Sequence, residues 1–92
     1  MKRDFEVNEQ AREIIDFIRS EVIRDMRVEL DDSTPLVSSG LIDSMALVDI
    51  LGKLEDVTNM RIPAGKVQAK DMDTVQLMFA TALRVGRSRK KG

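Results

Sequence analysis

Apolar residues recur at three- and four-residue spacing through the first third of the chain. Ala11, Ile14, Ile15, Ile18, Val22 and Met26 share one face of a helix, while Glu9, Arg12, Glu13, Asp16, Arg19, Glu21 and Arg24 cover the others. With Asn8 as the N-cap, the pattern predicts a first helix over residues 8–27. Arg24 and Arg27 at its end suit the negative pole of the helix dipole. The pattern then breaks. Asp31-Asp32-Ser33-Thr34-Pro35 and Ser38-Ser39-Gly40 are turn-forming runs, so residues 28–43 are expected to form a long loop. Leu36, Val37, Leu41 and Ile42 would plug that loop onto the helices. Connections of this length are uncommon in small domains and are usually functional or anchored.

Periodicity resumes at Asp43. As an N-cap, Asp43 places Ser44 in the first turn of a second helix running to about Val57. Leu47, Val48, Leu51 and Leu54 form its expected inward face, and Met45, Asp49, Lys53 and Asp56 point elsewhere. Gly52 costs this helix about 1 kcal/mol relative to Ala and suggests a close helix contact. Ile62-Pro63 opens a short third helix through about Val67, proline being suited to a first turn. Asp73 and Gln76 have the spacing of a capping box. Val75, Met78, Phe79, Ala82 and Leu83 then mark a last helix over residues 73–85, which Gly86 ends. No strand pattern and no internal repeat is evident.

The expected fold is therefore all-α: a four-helix bundle with a long first loop and a short third helix. Its parts are a flexible N-terminus (1–7), one domain (8–85) and a basic flexible tail (86–92). Ile18, Val48, Leu51, Met78, Phe79 and Leu83 are expected in the core.

Composition narrows the chemistry. A chain of 92 residues suits one small domain with a limited core, better matched to a carrier, binding module or regulator than to a complete enzyme. There is no Trp or Tyr and there are only three Phe, so the core must be aliphatic and methionine-rich. With neither His nor Cys, the usual zinc and transition-metal ligand sets, the Ser-His-Asp triad, the Cys-His dyad and any disulfide are excluded. No catalytic residue and no metal ligand is expected, and any reaction at Ser44 requires a base from another protein. No apolar run has membrane-spanning length, so a cytoplasmic protein without membrane insertion is expected.

The net charge of −1 hides an asymmetry. Arg84, Arg87, Arg89, Lys90 and Lys91 cluster at the C-terminal end. From Glu29 to Asp56 the acids Glu29, Asp31, Asp32, Asp43, Asp49, Glu55 and Asp56 are opposed by Lys53 alone. Such a stretch suits basic protein partners.

The segment Leu36-Val37-Ser38-Ser39-Gly40-Leu41-Ile42-Asp43-Ser44-Met45, followed by an amphipathic helix ending Leu51-Gly52-Lys53-Leu54-Glu55, resembles the acyl carrier and peptidyl carrier protein family. Ile62-Pro63 adds to the similarity, which covers roughly residues 30–85. The resemblance implies a covalent 4'-phosphopantetheine, transferred from coenzyme A to Ser44 by a phosphopantetheinyl transferase. It also implies a loading enzyme that charges the arm with an acyl or aminoacyl group as a thioester, and a downstream synthase or transferase. By the same resemblance, partners dock on the second helix and the preceding loop, through Leu41, Ile42, Asp43, Met45, Asp49 and Asp56. Thr58, where fatty-acid carriers often have Phe, and Lys53 within the helix depart from the fatty-acid type. Leu-Ile-Asp-Ser-Met is closer to stand-alone D-alanyl or aminoacyl carriers, or to the carriers of specialised biosynthetic pathways.

Independently of that likeness, a serine in a first helical turn projects outward, where the helix dipole favours an attached phosphodiester. A monomer with no nucleic-acid partner is expected. The alternatives are a carrier-like scaffold that is never modified and a small helical nucleic-acid-binding protein using the basic tail.

Overall fold

The computed structural model describes residues 9–88. Asn8, the expected 1–7 segment and residues 89–92 of the expected tail lie outside the described residues.

The fold is mostly helical. Helix α1 (Glu9–Phe17) continues without a break into a π-helical segment (Ile18–Ile23). The chain leaves it through Arg24, whose backbone is left-handed at φ 63° and whose amide donates to the Arg19 carbonyl. Asp25 N donates to the same oxygen at 2.9 Å. The helix thus stops four residues short of the expected Arg27. The Arg19 guanidinium braces the departing chain by donating to Val28 O at 3.3 Å and to Asp16 Oδ1 at 3.2 Å.

After the long loop, α2 spans Ala46–Thr58. Its C-terminus turns at Asn59, left-handed at φ 56°, with the Asn59 amide donating to Glu55 O. Thr58 Oγ1 donates to Leu54 O at 2.7 Å, and Glu55 Oε2 accepts from Ile62 N at 2.8 Å, which sets the direction of the next segment.

The short third helix expected after Pro63 is realised as two separate 3-10 turns, Ala64–Lys66 and Ala69–Met72. The described residues therefore hold three longer helices and these two turns rather than four continuous helices. Helix α3 spans Val75–Val85, and its N-cap is Thr74, whose hydroxyl accepts from Leu77 N at 3.0 Å. Asp73, expected to cap this helix, instead accepts from Leu36, Val37 and Ser38 of the loop.

The structure also contains a strand pair that the sequence pattern did not indicate. Strands β1 (Met60–Arg61) and β2 (Arg87–Ser88) form a two-residue antiparallel ribbon, with Met60 opposite Ser88 and Arg61 opposite Arg87. Gly86 joins α3 to β2. A Cβ there would run into the Ala82 carbonyl and the Met60 methyl group, so close approach, not an unusual φ, requires glycine.

Helix α1 packs on α2 and α3. The core comprises Ala11, Ile14 and Ile18 from the first helix, Leu36 and Ile42 from the loop, Ile50 and Leu54 from α2, and Ile62, Met72, Val75, Met78 and Ala82. It is aliphatic and contains two buried methionines, as composition required.

Of the expected core residues, Ile18 and Met78 are buried, and Leu51 and Phe79 are half-buried. Val48 and Leu83 are corrections: they are 74% and 80% exposed. The inward face of α2 is centred on Ile50 and Leu54, which turns Val48 to solvent. Gly52 is a further correction, because a Cβ there would meet nothing within 4 Å and no close contact requires glycine.

Candidate functional site

Ser44 lies in a tight turn immediately before α2. Asp43 Oδ1 accepts from Met45 N at 3.0 Å and Ala46 N at 3.1 Å, satisfying amides that the helix start leaves open. The backbone bonds Ala46 N to Asp43 O (3.2 Å) and Leu47 N to Ser44 O (3.2 Å) wind this turn into the helix. Regular α2 thus begins two residues after Ser44, later than the pattern indicated, while the capping chemistry of Asp43 is the expected one. Ser44 is exposed.

The expected docking residues differ in exposure. Asp43, Met45, Asp49 and Asp56 are exposed, Met45 at 81%. Leu41 is half-buried. Ile42, at 6% exposure, is a core residue, as expected of a side chain that plugs the loop onto the helices, and offers a partner little surface. Val48 joins the exposed group instead. Met45, Val48, Asp49, Gly52 and Asp56 make a continuous stripe along α2 at three- and four-residue steps. The stripe carries two apolar side chains next to Ser44 and carboxylates farther along.

On its other side, Ser44 borders an open groove of about 250 Å³. Leu47, Val48 and Leu51 form one wall, and Ala64, Val67, Gln68, Ala69 and Met72 of the 3-10 region form the other. The lining is mostly apolar, with the hydroxyl at its edge. Short 3-10 turns, instead of a continuous third helix, leave this space beside α2.

The loop before Ser44 is held from a distance. Leu36, Val37 and Ser38 amides donate to Asp73 Oδ1 at 3.2, 2.7 and 2.9 Å. The Ser38 hydroxyl donates to Asp73 Oδ2 at 2.7 Å. Bonds from the Ser38 amide and hydroxyl, then from Val37 and Leu36, hold the Asp73 carboxyl below the usual carboxylate range. Gln76 N, near the start of α3, donates to Asp32 O at 2.9 Å, a second tie to the loop. Gly40 makes the sharp turn within the loop at φ 83°, a conformation that favours glycine.

The model of the family described as the phosphopantetheine attachment site matches residues 16–82. The chain belongs to this family. It is a phosphopantetheine-binding carrier domain, and its cofactor is covalently attached 4'-phosphopantetheine. No curated protein and no solved structure matches the chain significantly. Carrier domains of this family work with a phosphopantetheinyl transferase and with partner enzymes. The matched span includes the long loop, the Ser44 turn, α2 and most of α3.

The residues around Ser44 fit such a group. The hydroxyl is accessible, the start of α2 favours the phosphodiester charge, and the adjoining groove offers apolar cover. Among the described residues, no group of His, Cys, Asp or Glu could hold a metal ion, and no helix is long and apolar enough to cross a membrane.

Two functional features escaped sequence reasoning. The hydropathy pattern turns Val48 inward because α2 is apolar around much of its circumference. The spacing pairs Asp73 with Gln76, its neighbour in sequence, whereas its partners are Leu36, Val37 and Ser38.

Proposed function

We propose that Ser44 is the attachment residue and that this domain carries an acyl or aminoacyl group on the arm, presenting it to partner enzymes without catalysing a reaction itself. The observation that carries the reading is the exposed Ser44 at the Asp43-capped start of α2, inside the span that matches the family. In the attachment step, Ser44 Oγ forms a bond to the pantetheine-side phosphorus of coenzyme A. The pyrophosphate bond breaks, adenosine 3',5'-bisphosphate leaves, and the hydroxyl proton passes to a base of the transferase.

When attached, the group supplies a thiol, which this chain otherwise lacks. The chain's own residues do the rest. Asp43 holds the Ser44 turn, and the start of α2 stabilises the phosphodiester. The stripe of Met45, Val48, Asp49 and Asp56 is the docking face, apolar next to the serine and acidic beyond it. The groove walled by Leu47, Leu51, Val67 and Met72 shelters the arm or a short cargo.

The test is intact mass after incubation with coenzyme A, magnesium and a broad-specificity transferase. Wild type should gain the mass of one arm and Ser44→Ala should gain none. A wild type that stays unmodified, while another carrier in the same tube is converted, would leave the domain as an unmodified scaffold.

A further inference from the structure

From Arg24 to Met45 the chain forms neither helix nor strand, yet this segment delivers Ser44 to the partner surface. A hydrogen-bonded path fixes its second half. Leu36 N donates both to Asp73 Oδ1 (3.2 Å) and to Asp73 O (2.8 Å). Leu36 O in turn accepts from Ile42 N at 3.1 Å, so the two ends of the 36–42 segment meet. Inside it, Ser39 Oγ donates to Pro35 O at 2.7 Å and Gly40 N donates to Val37 O at 3.0 Å. The next residue after buried Ile42 is Asp43, which organises the Ser44 turn. The path therefore runs from the threshold of α3, through the loop, to the attachment serine.

We infer that Asp73 is a positioning residue for attachment of the arm: by holding Leu36, Val37 and Ser38, its carboxylate presets the 36–42 loop and with it the approach of Ser44 to the transferase. This rests on the carrier reading above. The Asp73 carboxylate bonds to Leu36, Val37 and Ser38 and not to Ser44. It acts by ordering the loop before the partner arrives. Without it, the transferase must order that segment on docking, and the cost falls on association and not on bond formation. A residue that only stabilised the fold would behave differently, because well below the melting temperature the folded fraction would react like wild type.

The experiment measures initial rates of modification against carrier concentration, with coenzyme A, magnesium and a broad-specificity transferase. The proteins are wild type, Asp73→Ala, Asp73→Asn, Ser38→Ala and, as a stability control in the core, Ile14→Val. Asp73→Ala, which removes all four bonds from the carboxylate to the loop, should raise KM by about tenfold or more. Its kcat should stay within about twofold. Asp73→Asn keeps an acceptor oxygen but loses the charge, so it should fall between Asp73→Ala and wild type. Ser38→Ala, which loses one bond, should fall closer to wild type, and Ile14→Val should match it.

Amide hydrogen exchange on the same unmodified proteins gives a second readout. Val37 and Ser38 should exchange faster in Asp73→Asn while the amide of Leu54 in α2 does not. If Asp73→Ala fails to fold, Asp73→Asn and Ser38→Ala carry the comparison. A wild-type KM in the Asp73 variants, or an equal rise in Ile14→Val, overturns the inference while leaving the carrier reading in place. A wild type that gains no arm overturns the assignment of Ser44 and the inference with it.

Discussion

Leu54 and Val48 are both apolar residues of α2, and the structure assigns them opposite fates on truncation. Leu54 is fully buried in the core shared with α1 and α3, whereas Val48 is 74% exposed. Replacing Leu54 by alanine removes the buried branched end of the side chain and leaves a cavity. The combined transfer and cavity terms amount to about 3–4 kcal/mol for such a site. A domain of this size has a total stability of roughly 5–14 kcal/mol, so the variant loses about a fifth of it or more. At about 4–8 °C per kcal/mol, the melting temperature should drop by roughly 12–30 °C.

Val48→Ala removes little buried surface and replaces a β-branched residue with the best helix former, so its stability should stay within about 0.5 kcal/mol of wild type. Half-buried Leu51→Ala should fall between the two. Helical circular dichroism followed during thermal and urea unfolding measures all three. A Leu54→Ala protein melting within a few degrees of wild type, or a Val48→Ala protein losing as much as Leu54→Ala, would mean that α2 is rotated relative to its packing here.

Other outcomes follow from the site and the loop. Asp49→Lys should slow Ser44 modification mainly through encounter, with the deficit shrinking as added salt shortens the screening length below its value of about 10 Å at 0.1 M. Initial rates at two salt concentrations check this. Met45→Ala combined with Val48→Ala should weaken loading by a cognate enzyme while leaving the melting curve near wild type, since both side chains are exposed. Gly40→Ala should cost about 1–2 kcal/mol in urea unfolding, because the φ of 83° disfavours a Cβ. In acid, the lowered carboxyls of Asp73 and Asp31 contribute stability that is complete above their ordinary value of 3.8 and is lost as pH falls through the lowered one. Urea midpoints should therefore decline below pH 3.8, and less steeply for Asp73→Asn, whose side chain does not titrate.

What could be read from the sequence was whatever repeats locally. The faces of α1 and α3 show a helical period over several turns, and Ile14, Ile18, Met78 and Ala82 are buried as that period demands. Asp43-Ser44 is equally local, since a capping carboxylate acts on amides two and three residues ahead. The failures have distinct causes. In α2, Leu47, Val48, Ile50, Leu51 and Leu54 surround much of the helix, so hydropathy alone could not orient it. The widened turns at Ile18–Ile23 are too few to shift an apolar period. A two-residue strand such as Met60–Arg61 has no period at all. Asp73 is a long-range case: nothing near it in sequence signals that Leu36, Val37 and Ser38 would bring their amides to it.

The small ribbon of Met60–Arg61 and Arg87–Ser88 has a practical consequence for handling the protein. It sits just past the end of α2, and Ser44 lies just before the start of that helix. Thirteen residues of helix separate the two, a span of about 20 Å. A tag, a fluorophore or a bead linker joined beyond Ser88 would therefore follow a strand that lies at the opposite end of α2 from Ser44. Immobilised in that way, the domain would offer Ser44 and the α2 stripe to enzymes in solution, so successive loading and unloading could be followed on one anchored molecule.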